Sequence, residues 1–193
     1  MTLIDLTPAA ERLADLVRSV PTERLGDPTP CPRYAVGDLV DHIGGLGLAF
    51  ALAAAKTPVE PGGAGDASRL GDDWRDRIPA SLGELATAWA DPDAWTGMTR
   101  VGGVDLPGGV CGLVALDELV VHGWDLAHAL GTSYAASDAE LDLLVPHVAG
   151  FQGPRDPDGL FGPVVDVDDG APPLDRLVGL CGRDPGWRAP SRP

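Results

Sequence analysis

Residues 111–130 read CGLVALDELVVHGWDLAHAL, and the next residue is Gly131. The run contains no proline and is predicted to be a helix that stops at that glycine. Glu118, His122 and Asp125 interrupt its apolar residues. At about 100° per residue, His122 lies about 40° round the helix from Glu118 and Asp125 about −20° from it. The three share one face, flanked by Leu119 and Val121. Ionisable groups on an inward stripe are costly unless paired or bound to a metal.

Residues 35–56 supply a second helix, nearly apolar all round beyond its first turns, which places it in the middle of a bundle. Gly44, Gly45 and Gly47 each cost about 1 kcal/mol in a helix interior and read as close-packing positions. His42 sits in this helix directly before Ile43. Two facing helices would bring His42 against Glu118 and His122. Two imidazoles and one carboxylate leave a coordination position open, the pattern of catalytic zinc. The competing reading is that Glu118 and His122 form an i,i+4 pair on a solvated face, worth a few tenths of a kcal/mol.

Three further helices are predicted. One spans Thr7 to Val20, with Thr7 as cap and Pro8 in its first position. Another spans about Ser68 to Ala90, kinked at Pro79. A third starts at a Ser137 cap, with Glu140 completing a capping box, and ends near Gly150. Four prolines in residues 21–34 forbid regular structure there. The Gly/Pro-rich stretch Pro58 to Ala67 reads as mobile, Trp95 to Val110 as an extended excursion or short hairpin, and Pro173 to Cys181 as a short tail helix. No repeat and no βαβ alternation occurs. The expected fold is all-α: one domain over 1–193, an antiparallel four-helix bundle with an extra helix (about 7–150) and an irregular C-terminal tail (151–193).

Composition narrows the function classes. The chain has 193 residues, 44% of them hydrophobic, and a net charge of 14 − 29 = −15. That charge gives no electrostatic reason to approach nucleic acid or an anionic membrane. No apolar run approaches the roughly 20 residues of a bilayer span, and the acidic start lacks the basic region of a secretory signal. Cys31, Cys111 and Cys181 are too scattered for a disulfide framework. A cytoplasmic protein with free thiols is expected. Lys56 is the sole lysine, and asparagine is absent. Such composition follows from GC-rich coding and suggests an actinobacterium-like source.

The segments TPAAERLADLV, TPCPRYAVGDLVDHIGG, LDELVVHGWDLAHALG and FGPVVDVDDGAPPLDRLVGLCGRDPGW together resemble the DinB-like superfamily. More specifically they resemble the metal-binding N-terminal domain of mycothiol-dependent maleylpyruvate isomerases, as a short single-domain member. The resemblance implies that a divalent metal is held by the histidine of D-L-x-x-H and by the glutamate and histidine of E-x-x-x-H-x-x-D, here His42, Glu118 and His122. Zinc is the first expectation, with nickel or iron as alternatives. Asp125 matches the trailing aspartate and is expected to act behind the ligands, fixing a histidine ring or binding a substrate group. The full isomerase carries a second, sterol-carrier-like domain, for which 193 residues leave no room.

The resemblance implies mycothiol as a thiol cofactor, used for isomerisation or S-transfer on a small electrophilic molecule. Two other readings stand beside it. One is a metal-dependent hydrolase with water as nucleophile and Asp125 or another pocket acid as base. The other is a non-catalytic metal- or ligand-binding accessory protein. Cys31 is a weak nucleophile candidate. Cys111 reads as a buried small hydrophobe, although a helix start would lower its pKa. His128 and His147 are expected at the surface. Trp74, Trp89, Trp95 and Trp124 are expected in packing, with Trp124 a candidate to line the metal pocket. The GGLG run lacks a phosphate-binding context. The acidic DVDD of the tail lacks an EF-hand's spacing and reads as solvated.

Overall fold

The computed structural model describes residues 4–57, 62–153, 155 and 161–190. Among these are six α-helices: α1 (Thr7–Ser19), α2 (Val36–Ala54), α3 (Trp74–Trp89), α4 (Gly108–Leu130), α5 (Asp138–Ala149) and α6 (Pro173–Leu180). One antiparallel hairpin, β1 (Met98–Val101) and β2 (Val104–Pro107), leads into α4. The fold is the expected all-α, DinB-like bundle. α1 and α2 each pack against both α3 and α4, which closes a four-helix ring. α5 lies on α4, and α6 on α5. Burial follows helical periodicity: Leu13 and Val17 from α1, Leu39, Ile43 and Phe50 from α2, Ile78, Leu82 and Leu85 from α3, and Leu116 and Val120 from α4 share one core.

α2 runs unbroken through its glycines. A Cβ at Gly47 would lie 2.5 Å from Ser81 Oγ, and one at Gly44 would lie 3.0 Å from Ile78 Cγ1. Both glycines are therefore close-packing positions against α3. Because the helix is continuous, its 19 residues reach a mean hydropathy of 1.4, enough by length and composition to cross a bilayer. This departs from the expectation that no run comes near that length. Half of that window is buried inside the bundle.

Several boundaries differ from expectation. Leu6, not Thr7, holds the N-cap position of α1, and the Thr7 N–H donates to Asp5 Oδ1 at 2.9 Å. α3 starts at Trp74 because Ala67–Arg69 forms a separate 3-10 turn and Gly71 (φ +67°) redirects the chain. Pro79 lies inside α3 and is buried. α4 begins at Gly108, three residues before Cys111, directly after the hairpin. That hairpin turns on Gly102 and Gly103, with φ of +59° and +82°, the left-handed pair a two-residue turn requires. The α5 capping box forms as expected: Glu140 N–H donates to Ser137 Oγ, and Ser137 N–H to Glu140 Oε2 at 2.6 Å.

The stretch expected to be mobile is tied down where it is described. Asp66 N–H donates to Asp41 Oδ2 (3.0 Å) and Ala67 N–H to Asp38 Oδ1 (2.9 Å). Arg69 pairs with Asp41 at 2.6 Å. Two acids on the polar side of α2 thus hold residues 66–69; residues 58–61 lie outside the described part. In the tail, Asp166, Asp168 and Asp169 are exposed, as expected for a solvated stretch.

Candidate metal centre

α4 supplies three side chains to the site and α2 one. Gly131 (φ +72°) ends α4, and Arg24 donates to its last carbonyls, Ala129 and Leu130, at 2.6 and 3.0 Å. A cation there also complements the helix dipole. His122 Nε2 lies 2.9 Å from Glu118 Oε2, and His42 Nε2 lies 3.9 Å from the same oxygen. One donor atom from each of the three residues falls within 4.8 Å of the others. The His42 and His122 rings meet edge to face, centroids 5.0 Å apart. The solvated-face reading fails, because the His122 and Glu118 side chains are only 7% and 15% exposed.

The donor set suits a divalent cation. Ligands about 2.1 Å from a tetrahedral ion lie about 3.4 Å from one another. The observed separations of 2.9 and 3.9 Å bracket that spacing. Small shifts of flexible side chains would reach it. Burial and the nearby His122 push the His42 pKa down to about 4, so its imidazole is neutral and has a lone pair to give. Burial opposes charge on His122, but the hydrogen bonds to Asp125 and Glu118 outweigh it and hold the imidazole up to about 9. Without a cation, a proton fills the place between His122 and Glu118.

Asp125 stands behind His122. Its Oδ2 is 3.0 Å from His122 Nδ1, so the ring directs Nε2 toward Glu118 and His42. The same oxygen accepts from Arg183 Nη2 at 3.0 Å, and Oδ1 accepts from Arg183 Nε at 3.3 Å. Asp125 is fully buried, and both its oxygens are engaged. Burial works against its ionised form, but Arg183 and His122 prevail and lower its pKa. Arg183, on the turn after α6, is a site residue that sequence reasoning missed, as is Tyr34. The signal available for Arg183 was its place in the CGRDPGW end of the segment that carries the family resemblance, directly after the predicted tail helix.

Tyr34 also joins the site. Its ring lies 4.9 Å from that of His42, and the Arg33 guanidinium sits 5.3 Å from the Tyr34 ring centre. Gly65 crosses α2 at the same level, where a Cβ would collide with the Asp38 carbonyl and lie 3.0 Å from His42 Cβ. Other candidates fall away. Trp124 stacks on His128 at 4.0 Å, and His128 Nδ1 lies 3.0 Å from the Trp124 carbonyl. The Trp124 ring therefore serves packing. His128 and His147 are half-buried rather than at the surface. Trp89 Nε1 donates to Phe50 O and Trp95 Nε1 to Trp89 O, so both are packing residues. The three cysteines are free and buried. Burial pushes the Cys111 thiol up to about 11 and raises Cys31 as well, the reverse of nucleophile activation.

Residues 6–127, more than half of the chain, match the mycothiol maleylpyruvate isomerase N-terminal domain. The chain belongs to that family. The match covers the bundle through His42, Glu118, His122 and Asp125, while α5, α6 and Arg183 lie beyond it. Two uncharacterized proteins of Mycobacterium tuberculosis, one from strain H37Rv and one from strain CDC 1551, are each 27% identical over 186 residues, covering 91% of this chain and 93% of their own length. No solved structure matches the chain.

Proposed function

We propose that this member of the mycothiol maleylpyruvate isomerase N-terminal domain family binds one divalent cation, zinc first and nickel or iron as alternatives, through His42, Glu118 and His122. We further propose that it uses the centre to bring a thiol, mycothiol by family, to a small electrophilic molecule for isomerisation or S-transfer. The observation that carries this reading is the convergence of three donor atoms within 4.8 Å at the junction of α2 and α4, backed by Asp125. A cation bound there supplies an electrophilic position that takes a thiol as thiolate at neutral pH. The chain's own residues do the rest. His42 offers a neutral imidazole, Glu118 a charge, and Asp125 keeps His122 facing inward. Tyr34 walls the His42 side of the site.

The hydrolase reading is the weaker of the enzymatic ones. Asp125 does not serve it as a free base, because that carboxylate is buried with both oxygens occupied by His122 and Arg183, so another pocket acid would have to take the role. The acidic charge supports a small molecule rather than nucleic acid or an anionic membrane as partner, and the three free thiols suit a cytoplasmic setting. Cobalt(II) substitution tests the proposal. Titrating mycothiol into the cobalt protein is expected to produce a near-ultraviolet thiolate-to-cobalt charge-transfer band that is absent in Glu118→Ala. Cobalt binding with no such band would leave a metal-binding protein of another kind and contradict the thiol role.

A further inference from the structure

Arg183 is carried by the tail yet grips a residue of α4. Two of its nitrogens contact the two oxygens of Asp125, and Nη1 donates to the Cys181 carbonyl at 2.8 Å. The guanidinium is thus fixed from both sides. The backbone is shaped to deliver it: Gly182 (φ +83°) turns the chain just before Arg183, and a Cβ there would lie 2.9 Å from Gly162 Cα. Arg183 N–H in turn donates to the Val178 carbonyl of α6 at 2.9 Å.

We propose that Arg183 is a positioning residue of the metal centre: by neutralising Asp125 and holding both its oxygens, it locks the His122 ring with Nδ1 on Asp125 and Nε2 toward the ion. This rests on the metal reading above. The geometry separates it from a mere tail anchor. Arg155 is an anchor of that kind: it donates to the carbonyls of Leu180 (2.6 Å) and Val148 (2.7 Å) and lies over the Phe151 and Phe161 rings. Arg183 instead directs two nitrogens to the one carboxylate that orients a metal ligand. Asp125 Oδ2 is shared at 3.0 Å by His122 and Arg183, so loss of the guanidinium leaves a buried carboxylate with His122 alone to compensate it. A carboxylate held on one side only is free to turn away from Nδ1, and that releases the ring.

The test compares wild-type protein with Arg183→Met, Arg183→Lys and Arg155→Met, each shown to be folded by circular dichroism. Two quantities are read at one fixed pH: the slowly exchanging Nδ1 proton of His122 by 15N-histidine NMR on metal-free protein, and zinc affinity by chelator competition. Arg183→Met is expected to lose the Nδ1 proton signal and to bind zinc about 10–100-fold more weakly. Arg183→Lys is expected to recover the signal and most of the affinity. Arg155→Met is expected to lower the melting temperature while leaving signal and affinity at wild-type values. Should Arg183→Met not fold, Arg183→Gln, which donates without charge, is held to the same expectation. An unchanged signal and affinity in the folded Arg183 variants, or an equal fall in Arg155→Met, would overturn the proposal. If wild-type protein takes no zinc, the metal reading fails, and the Nδ1 proton alone decides whether Arg183 holds His122.

Discussion

At the scale of single residues, the proposed centre sets a proton against a cation for His122 Nε2. The imidazole is held up to about 9 despite its burial, chiefly because Asp125 and Glu118 both hydrogen-bond to it. A base whose pKa is raised by folding stabilises the native state fully below its unfolded value, here 6.5, and that contribution is lost as pH climbs through the folded value. Metal-free protein is therefore expected to lose stability between pH 6.5 and about 9, and His122→Gln to lack that slope. Urea midpoints across the window check this; parallel profiles for the two proteins would contradict it. The shared face of Glu118 and His122 was legible in the sequence, since their offset of about 40° is fixed by helix geometry alone, whereas the approach of His42 was expected from two facing helices and the family resemblance. Arg183 was not legible. It meets Asp125 across 58 positions, from a turn after α6 with no periodicity to reveal which way a side chain points.

At the scale of elements, α2 and α3 approach closely because glycine is small where they cross. Gly47 faces Ser81, whose Oγ, Cβ and backbone carbon would all lie within 3.2 Å of a new Cβ. Gly45, two residues earlier, is exposed and would meet nothing within 4 Å. Gly47→Ala is thus expected to destabilise by about 1–3 kcal/mol, and Gly45→Ala to stabilise by about 1 kcal/mol through helix propensity. Denaturant unfolding measures both, and equal effects of one sign would contradict the assigned helix crossing. Apolar periodicity was enough to find the long helices, and the three-residue spacing of Ser137 and Glu140 to find the capping box. It failed at boundaries set by contacts or turns: Gly71 with the 3-10 turn before α3, and the hairpin that lets α4 start at Gly108. The mobility expected from glycine and proline near residue 65 was wrong for residues 66–67, because composition does not show that Asp38 and Asp41 stand ready to accept their N–H groups.

At the scale of the molecule, the bundle brings His42 and Glu118, 76 residues apart in the chain (118 − 42), to one place, and α5 and α6 return the tail to the back of that place. The family match ends at residue 127, but the hydrogen-bond chain from ligand to tail crosses that limit. The central claim is that the convergence of His42, Glu118 and His122 is a metal centre. Its most direct test is the metal content, by inductively coupled plasma mass spectrometry, of untagged wild-type protein and His122→Ala after incubation with zinc and removal of loosely bound ion. About one zinc per wild-type chain, and none above background in the variant, is the expected result. A wild-type protein that stays empty after zinc, and also after nickel and iron(II), would contradict the account.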